Sequence, residues 1–531
     1  MKIIDLFFPL SKKSSVANLV SPASPRRSRG RAGGRNTGGL ESYLIGIWRY
    51  GKSNNFPIVI TFIAVLMIAV ICSCGMIKTH KKVEKVSAYG SEMANVKTLE
   101  YYRNYIQKNL PFKKILWEAV FGDEKIRKLV RRGDSLYVET DAHRLYSVST
   151  KTGFRQWQSQ LPGPTDFFIS TVADLPKKES ELKKSINDTE KEITNENKSK
   201  GRDEDKVKSL KRLLDSFKEE YLSLRSKDVI YLTCNGSIYC IDRSNGNVIW
   251  QNRLPFIPST VPCATIASVF IGALDYNRVY QIDSALKYEK DWFRAEESIV
   301  TTPLYENLII YFGSSDGKVY AYDTMLKKLL WTYPTEKAIK TDMILDDDIL
   351  YVGSTDFAVY AIDRYAGILL WKFETGRPIT SPIILDKNQA VSGTNVSNPA
   401  ADKIDSSKTL YVYSDKNGLY ALNALTVFVK DNDNPEREKI LRKAKPIWKF
   451  EEGKSLLIRG LFYTYVIGVD NLTLYSVLNK QSTDDNTIRI APRPQIKEKY
   501  NLSIFPLRYG DLEENTVYLA TSDGYIFSVK E

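Results

Sequence analysis

Residues 308–333 read LIIYFGSSDGKVYAYDTMLKKLLWTY, and residues 349–373 read ILYVGSTDFAVYAIDRYAGILLWKF. Superposed, they bring Gly313 onto Gly353, Asp316 onto Asp356, Tyr320 onto Tyr360, Asp323 onto Asp363 and Trp331 onto Trp371, always forty residues apart. A fixed period of that size marks stacked supersecondary units. Inside each copy, short runs of Ile, Leu, Val, Tyr and Phe alternate with Ser-Asp-Gly or other Asp-containing turns, the pattern of hairpin-linked antiparallel strands. The first copy predicts strands at roughly 298–304, 308–314, 318–322 and 328–333. One such sheet has two apolar faces and cannot fold alone, whereas a ring of them buries each face against its neighbours. The predicted fold class is therefore all-β, a β-propeller of four-stranded antiparallel blades.

The central pattern, an aromatic two or three residues before Asp, Asn or Ser, recurs at Tyr146, Tyr239, Tyr280, Tyr320, Tyr360, Tyr420, Tyr475 and Phe527, which predicts eight blades. Seven tryptophans, Trp117, Trp157, Trp250, Trp292, Trp331, Trp371 and Trp448, are expected late in outer strands or in an equivalent setting, where a large indole covers the junction between blades. Trp117 lies ahead of the first repeat, and the eighth repeat ends at Glu531 with no outer strand after it. Residues 115–121 are therefore expected to complete the last blade, joining the two ends of the chain and closing the ring.

The run Ala361-Ile362-Asp363, then Gly367, then Trp371, is echoed by Cys240-Ile241-Asp242, Gly246, Trp250 and by Ser147, Ser149, Gly153, Trp157. It resembles the repeat of pyrroloquinoline-quinone-type (PQQ-like) propellers, over residues 112–531. Blades three, four, six and seven depart from it in lacking the glycine. The His-containing signature of WD-type propellers cannot be met by a chain whose histidines are His80 and His143. The resemblance implies one of two functions. Quinoprotein dehydrogenases hold their cofactor in the central funnel, often with calcium; the BamB-like outer-membrane assembly lipoproteins keep the ring and bind proteins.

The oxidising branch fits poorly. Neither the adjacent cysteine pair of alcohol-oxidising relatives nor a haem-linking Cys-x-x-Cys-His is present. His143 reads as a lone exposed turn histidine, and Asp316, Asp356, Asp415 and Asp523 recur at one turn position, which marks them as turn formers. No Gly-rich phosphate loop, nucleophile elbow or metal-spaced cluster appears. No catalytic, cofactor-binding or metal-binding residue is therefore assigned, and no cofactor is expected. The function expected is a non-catalytic, membrane-tethered scaffold for extracytoplasmic proteins, in outer-membrane protein assembly by resemblance to the BamB-like branch; the alternative is a PQQ-dependent membrane-bound dehydrogenase.

The net charge of +13 is uneven: residues 1–55 hold ten Lys or Arg against Asp5 and Glu41. The remaining chain is close to neutral for its size, which argues against nucleic acid as a partner. The arm 1–55 reads as a disordered basic flank. Ile58–Ile77 carries no charge, enough for one bilayer span within an anchor segment 56–77, and the more basic side lies before it, so the propeller is expected outside the cytoplasm, in the periplasm. Ile71-Cys72-Ser73-Cys74-Gly75 resembles a loose lipoprotein cleavage box with Cys74 as the acylated residue; an uncleaved signal anchor is the other reading. Residues 78–111 read as a polar, partly helical stalk. Cys234, Cys240 and Cys263 read as small core fillers, although Cys234 and Cys240 flank one hairpin turn where a bridge would fit.

Departures from the forty-residue period locate insertions. Between 175 and 228, Val207, Leu210, Leu214, Phe217, Tyr221 and Leu224 recur at three- and four-residue steps, as do Leu182, Ile186, Thr189 and Ile193, which predicts a coiled-coil helical hairpin projecting from blade 2. This hairpin and the insertion 387–407 follow first strands, whereas 425–443 and 479–486 follow third strands. In a four-stranded blade those connections share one face of the ring. That face is the expected docking surface for other envelope proteins.

Overall fold

The structure is a computed structural model that describes residues 93–198, 203–387, 408–424, 446–479 and 493–531. The basic arm, the apolar segment 56–77 with Cys74, nearly all of the 387–407 insertion, the 425–443 insertion and most of 479–486 lie outside them. The described residues form eight four-stranded antiparallel sheets. Seven are simple meanders within 126–160, 165–253, 263–294, 304–334, 344–374, 384–450 and 453–501, here blades 1 to 7. Blade 8 takes three strands from 507–530 and its outermost strand, Lys114–Val120, from the other end of the chain. There Lys114 opposes Lys530, Trp117 opposes Ser528 and Val120 opposes Tyr525.

Eight apolar clusters lie between successive blades. Tyr311 and Val319 of blade 4, for example, pack with Leu350, Val352 and Tyr360 of blade 5. Each blade buries both faces, as a ring requires.

The innermost strands are shorter than the sequence predicts: Leu304–Glu306 replaces 298–304, and blade 3 keeps only Cys263–Ala264. A threonine hydroxyl does the work of the missing ladder. Thr301 Oγ1 accepts from the Gly313 N–H at 2.8 Å and donates to its carbonyl at 3.0 Å. Thr260 accepts from the Gly272 N–H at 2.9 Å, and Thr341 donates to the Gly353 carbonyl at 3.4 Å. Backbone groups satisfied in this way need no neighbouring strand. A side chain at Gly313 has no room, since a Cβ there would stand 2.7 Å from Ile339 Cγ2.

The tryptophans explain the glycine of the repeat. The indole of Trp117 in blade 8 lies on Gly153 of blade 1, Trp157 on Gly246 of blade 2, and Trp331 on Gly367 of blade 5. Each also donates its Nε1–H to a carbonyl of the next blade: Thr150 at 2.6 Å, Arg243 at 2.8 Å and Arg364 at 2.9 Å. The glycine thus receives the preceding blade's tryptophan, not the one four residues after it. Trp250, Trp371 and Trp448 are buried in clusters shared by two blades. Trp292 departs from the expected junction role. It sits one register position late, opposite Tyr280, and is 42% exposed. Asp291 takes the junction position and pairs with Lys327, which stands where blade 5 has its glycine.

The segment read as a stalk contains helix α1 (Met93–Asn109), and it is docked on the ring. Leu99, Ile106, Leu110 and Phe112 are buried at the junction of blades 7 and 8. Tyr102 donates to Asp523 at 2.9 Å and Tyr105 to the Asn501 carbonyl at 3.0 Å. Blade 7 has Glu498 opposite Ser476, where other blades place tryptophan. Apolar side chains of α1 cover that junction instead.

Candidate interaction face

The connections between third and fourth strands are built alike in blades 3 to 5. An aspartate closes each turn by accepting N–H groups two and three residues on: Asp283 Oδ1 from Ala285 and Leu286 at 2.9 Å, Asp323 Oδ1 from Met325 at 2.8 Å and Leu326 at 2.7 Å, and Asp363 Oδ1 from Tyr365 at 2.9 Å and Ala366 at 2.8 Å. The Leu286 and Ala285 N–H groups hold the Asp283 carboxyl below its ordinary pKa. The fifth residue is left-handed, with φ 65° at Lys287, 57° at Lys327 and 66° at Gly367. Such Asx-closed turns are fixed locally, whatever lies beyond them. They present Leu286, Met325, Leu326, Tyr365 and Ile368 to solvent, with Leu326 70% and Met325 67% exposed. Single exposed apolar residues are ordinary, but a row on three consecutive blades is not.

The same face carries helices α2 (Leu175–Lys198) and α3 (Glu204–Leu224), which join the first and second strands of blade 2. They pack antiparallel, with Lys178 on Glu220 at 3.0 Å near the ring and Lys206 on Glu196 at 2.9 Å at the far end. Asp203 caps α3 by accepting the Asp205 and Lys206 N–H groups. Leu175, Leu182 and Leu224 root the pair in the core shared by blades 2 and 3, and Lys177 reaches Asn307 of blade 4 at 3.4 Å. The helices therefore rise from the same face of the ring as the apolar turn tips.

The channel side of blades 1, 6, 7 and 8 lines a half-open cavity of about 1400 Å³ with Arg131, Asp386, Arg459, Arg508 and Asp511 among others. Its buried carboxylates are engaged across blade boundaries. Asp386 of blade 6 meets Arg459 of blade 7 at 3.3 Å, and Asp511 of blade 8 meets Arg131 of blade 1 at 2.6 Å. Burial pushes both carboxyls above the usual range despite these partners. Carboxylates already neutralised by arginines are a poor donor set for calcium, so the lining of this cavity does not fit a calcium-assisted quinone. Among the described residues no three His, Cys, Asp or Glu converge.

The remaining candidates are scattered. Asp316 and Asp356 each accept from a tyrosine four residues on, Tyr320 at 2.7 Å and Tyr360 at 2.6 Å, as well as from turn N–H groups. Those tyrosines are an addition that turn chemistry alone did not predict. His143 is partly buried at φ 57° in a turn of blade 1, with no partner for Nδ1. Cys234, Cys240 and Cys263 are free and buried, and burial raises their thiols to about 11, about 11 and about 12. No described helix is long and apolar enough to cross a membrane.

The profile of the family described as outer membrane protein assembly factor BamB matches residues 95–289 and 287–434. No curated protein matches the chain. Among solved structures, that of BamB from Moraxella catarrhalis aligns at 13% identity with a TM-score of 0.35, covering 78% of this chain and 83% of that one. The computationally designed Ika8 protein aligns at 10% identity with a TM-score of 0.45, covering 78% of this chain and 98% of the design.

Proposed function

This chain belongs to the family of outer membrane protein assembly factor BamB, whose profile spans more than half of it, and from that premise we propose that it is a non-catalytic protein-interaction scaffold in outer-membrane protein assembly. The ring works outside the cytoplasm and is tethered to a membrane through the apolar segment 56–77. Its docking surface is the face that carries the blade 2 helices and the insertions of blades 6 and 7.

The observation that carries this reading is the row Leu286, Met325, Leu326 and Tyr365, held out by aspartate-closed turns on three successive blades. A preordered apolar surface loses little conformational entropy when a partner covers it, so more of the buried area becomes affinity. The ring itself supplies rigidity and a fixed spacing between turns. The cavity between blades 1, 6, 7 and 8 has carboxylates tied up in ion pairs, which supports holding over chemistry.

Two measurements test the proposal together. A photo-reactive residue at Leu326, in membranes of the source cell, should form adducts with the machinery that inserts outer-membrane barrels, and Leu286→Asp with Leu326→Asp should abolish them while the ring stays folded. Depletion of the protein should lower the amount of folded barrel protein in the outer membrane. Unchanged barrel levels together with no such adducts would remove the reading.

A further inference from the structure

A scaffold that joins two proteins needs a second surface, and blade 3 supplies one on the opposite face. In the other tryptophan-bearing meanders the indole opposes a small residue of the third strand, Ser147, Cys240 or Ala321, for example. In blade 3 the tryptophan arrives one residue late, so Asp291 opposes Gln281 and Trp292 opposes Tyr280. A one-residue slip turns a side chain to the other side of the strand. Trp292 is thereby released from the junction, whose place the Asp291–Lys327 ion pair has taken.

The released indole is not loose. The Arg278 guanidinium lies 4.0 Å from its ring centre and 6.0 Å from that of Tyr276. Arg294 stands opposite Arg278 in the same ladder. Neither arginine has a carboxylate within ion-pair distance among the described residues; Glu289 is near enough for its charge to be felt by Arg278 but makes no ion pair with it. Beside them Ile257, Leu274 and Tyr276 are 57%, 49% and 50% exposed, and the Leu274 N–H donates to the Ile257 carbonyl at 3.0 Å, tying the two segments together. These residues come from the turn between second and third strands and from the connection between blades. Both lie on the face away from the blade 2 helices.

We propose that Trp292, Arg278 and Tyr276, rimmed by Ile257 and Leu274, form a second docking site, for a segment of another protein that presents a carboxylate next to an aromatic or leucine side chain. Trp, Tyr and Arg are the residues that dominate binding energy at interfaces, and here Trp292 and Tyr276 are exposed on either side of a half-buried Arg278 guanidinium. The Arg278 and Arg294 guanidiniums, neither of them in an ion pair among the described residues, select the carboxylate against the nearby Asp275, whose Oδ1 is taken by the Ile257 N–H at 3.2 Å, and the apolar rim selects its neighbour. The site is separate from the apolar turn tips, and it stands or falls without them.

The test uses the full chain in detergent and a phage library of random twelve-residue peptides, with counter-selection on Trp292→Ala. Enriched peptides should place Asp or Glu within two positions of Phe, Tyr, Trp or Leu. They should bind at least tenfold more weakly to Arg278→Gln, and equally well to Leu326→Asp on the other face. Thermal unfolding of both blade 3 variants should match the parent, because Trp292 holds no junction. A library that yields no enrichment, or peptides without an acid, overturns the proposal. So does binding of anionic vesicles or a single-stranded oligonucleotide that is lost on the same two substitutions, since the cluster would then serve a lipid or a nucleic acid.

Discussion

At the scale of single residues, the ring is held by indoles seated on the backbone of the next blade, and position along the strand decides which tryptophan takes part. Trp371 is 1% exposed, and Trp371→Ala should cost about 3–5 kcal/mol in urea unfolding, the usual loss for a large buried aromatic. Trp292→Ala, at an exposed indole, should stay within about 1 kcal/mol. Equal losses at both sites would contradict the register argument. Gly367 combines φ 66° with a Trp331 atom only 2.6 Å from where a Cβ would sit, so Gly367→Ala should cost about 1–3 kcal/mol. From the sequence the seven tryptophans looked alike, because the repeat shows spacing but not which strand has slipped by one. The Gly-x-x-x-Trp spacing was legible; that the glycine serves the previous blade was not, since the contact joins residues such as Trp157 and Gly246 across a long insertion.

At the scale of elements, the strands announced themselves through alternation and turns, while the helices did so unevenly. The α2–α3 pair was legible because its apolar residues recur at helical steps within one segment. Helix α1 read as a stalk because its partners, Tyr525, Phe527 and Tyr465 among them, lie at the far end of the chain and leave no local trace. The two therefore predict opposite results on perturbation. Ile106→Asp places a charge at a fully buried site in the last junction and should cost at least about 3 kcal/mol, visible as early unfolding and as cleavage near blade 8 by added protease. Replacing residues 186–214 by a short Gly-Ser loop, which keeps Leu175, Leu182, Phe217 and Leu224 at the root, should leave the melting temperature of the ring unchanged. A collapse of the ring in the second variant would mean that the hairpin is part of the core and not a projection from it.

At the scale of the whole molecule, successive blades are also joined by charge. Glu306 of blade 4 meets Arg364 of blade 5, Asp346 of blade 5 meets Lys408 of blade 6 at 2.6 Å, Asp386 of blade 6 meets Arg459 of blade 7, and Asp511 of blade 8 meets Arg131 of blade 1. These pairs make the stability of the ring depend on pH in two directions. Asp346 is held below its ordinary value because Lys387 and Lys408 outweigh the burial that opposes them. Its contribution is present above the unfolded carboxylate value of about 4 and is lost as pH falls through the folded one. Asp386 and Asp511 are raised by burial, so the folded ring holds their protons more tightly than the unfolded chain does. Their contribution is full below about pH 4 and disappears as pH rises through their folded values. Thermal stability should therefore peak at mildly acidic pH, fall gently toward neutrality and fall steeply below about pH 4. In Asp386→Asn the gentle limb should flatten while the steep one remains, because the two limbs belong to different carboxylates. Melting curves recorded across pH 3 to 8 for parent and variant decide the matter: an unchanged upper limb in the variant would show that the buried carboxylates of the channel do not titrate with folding.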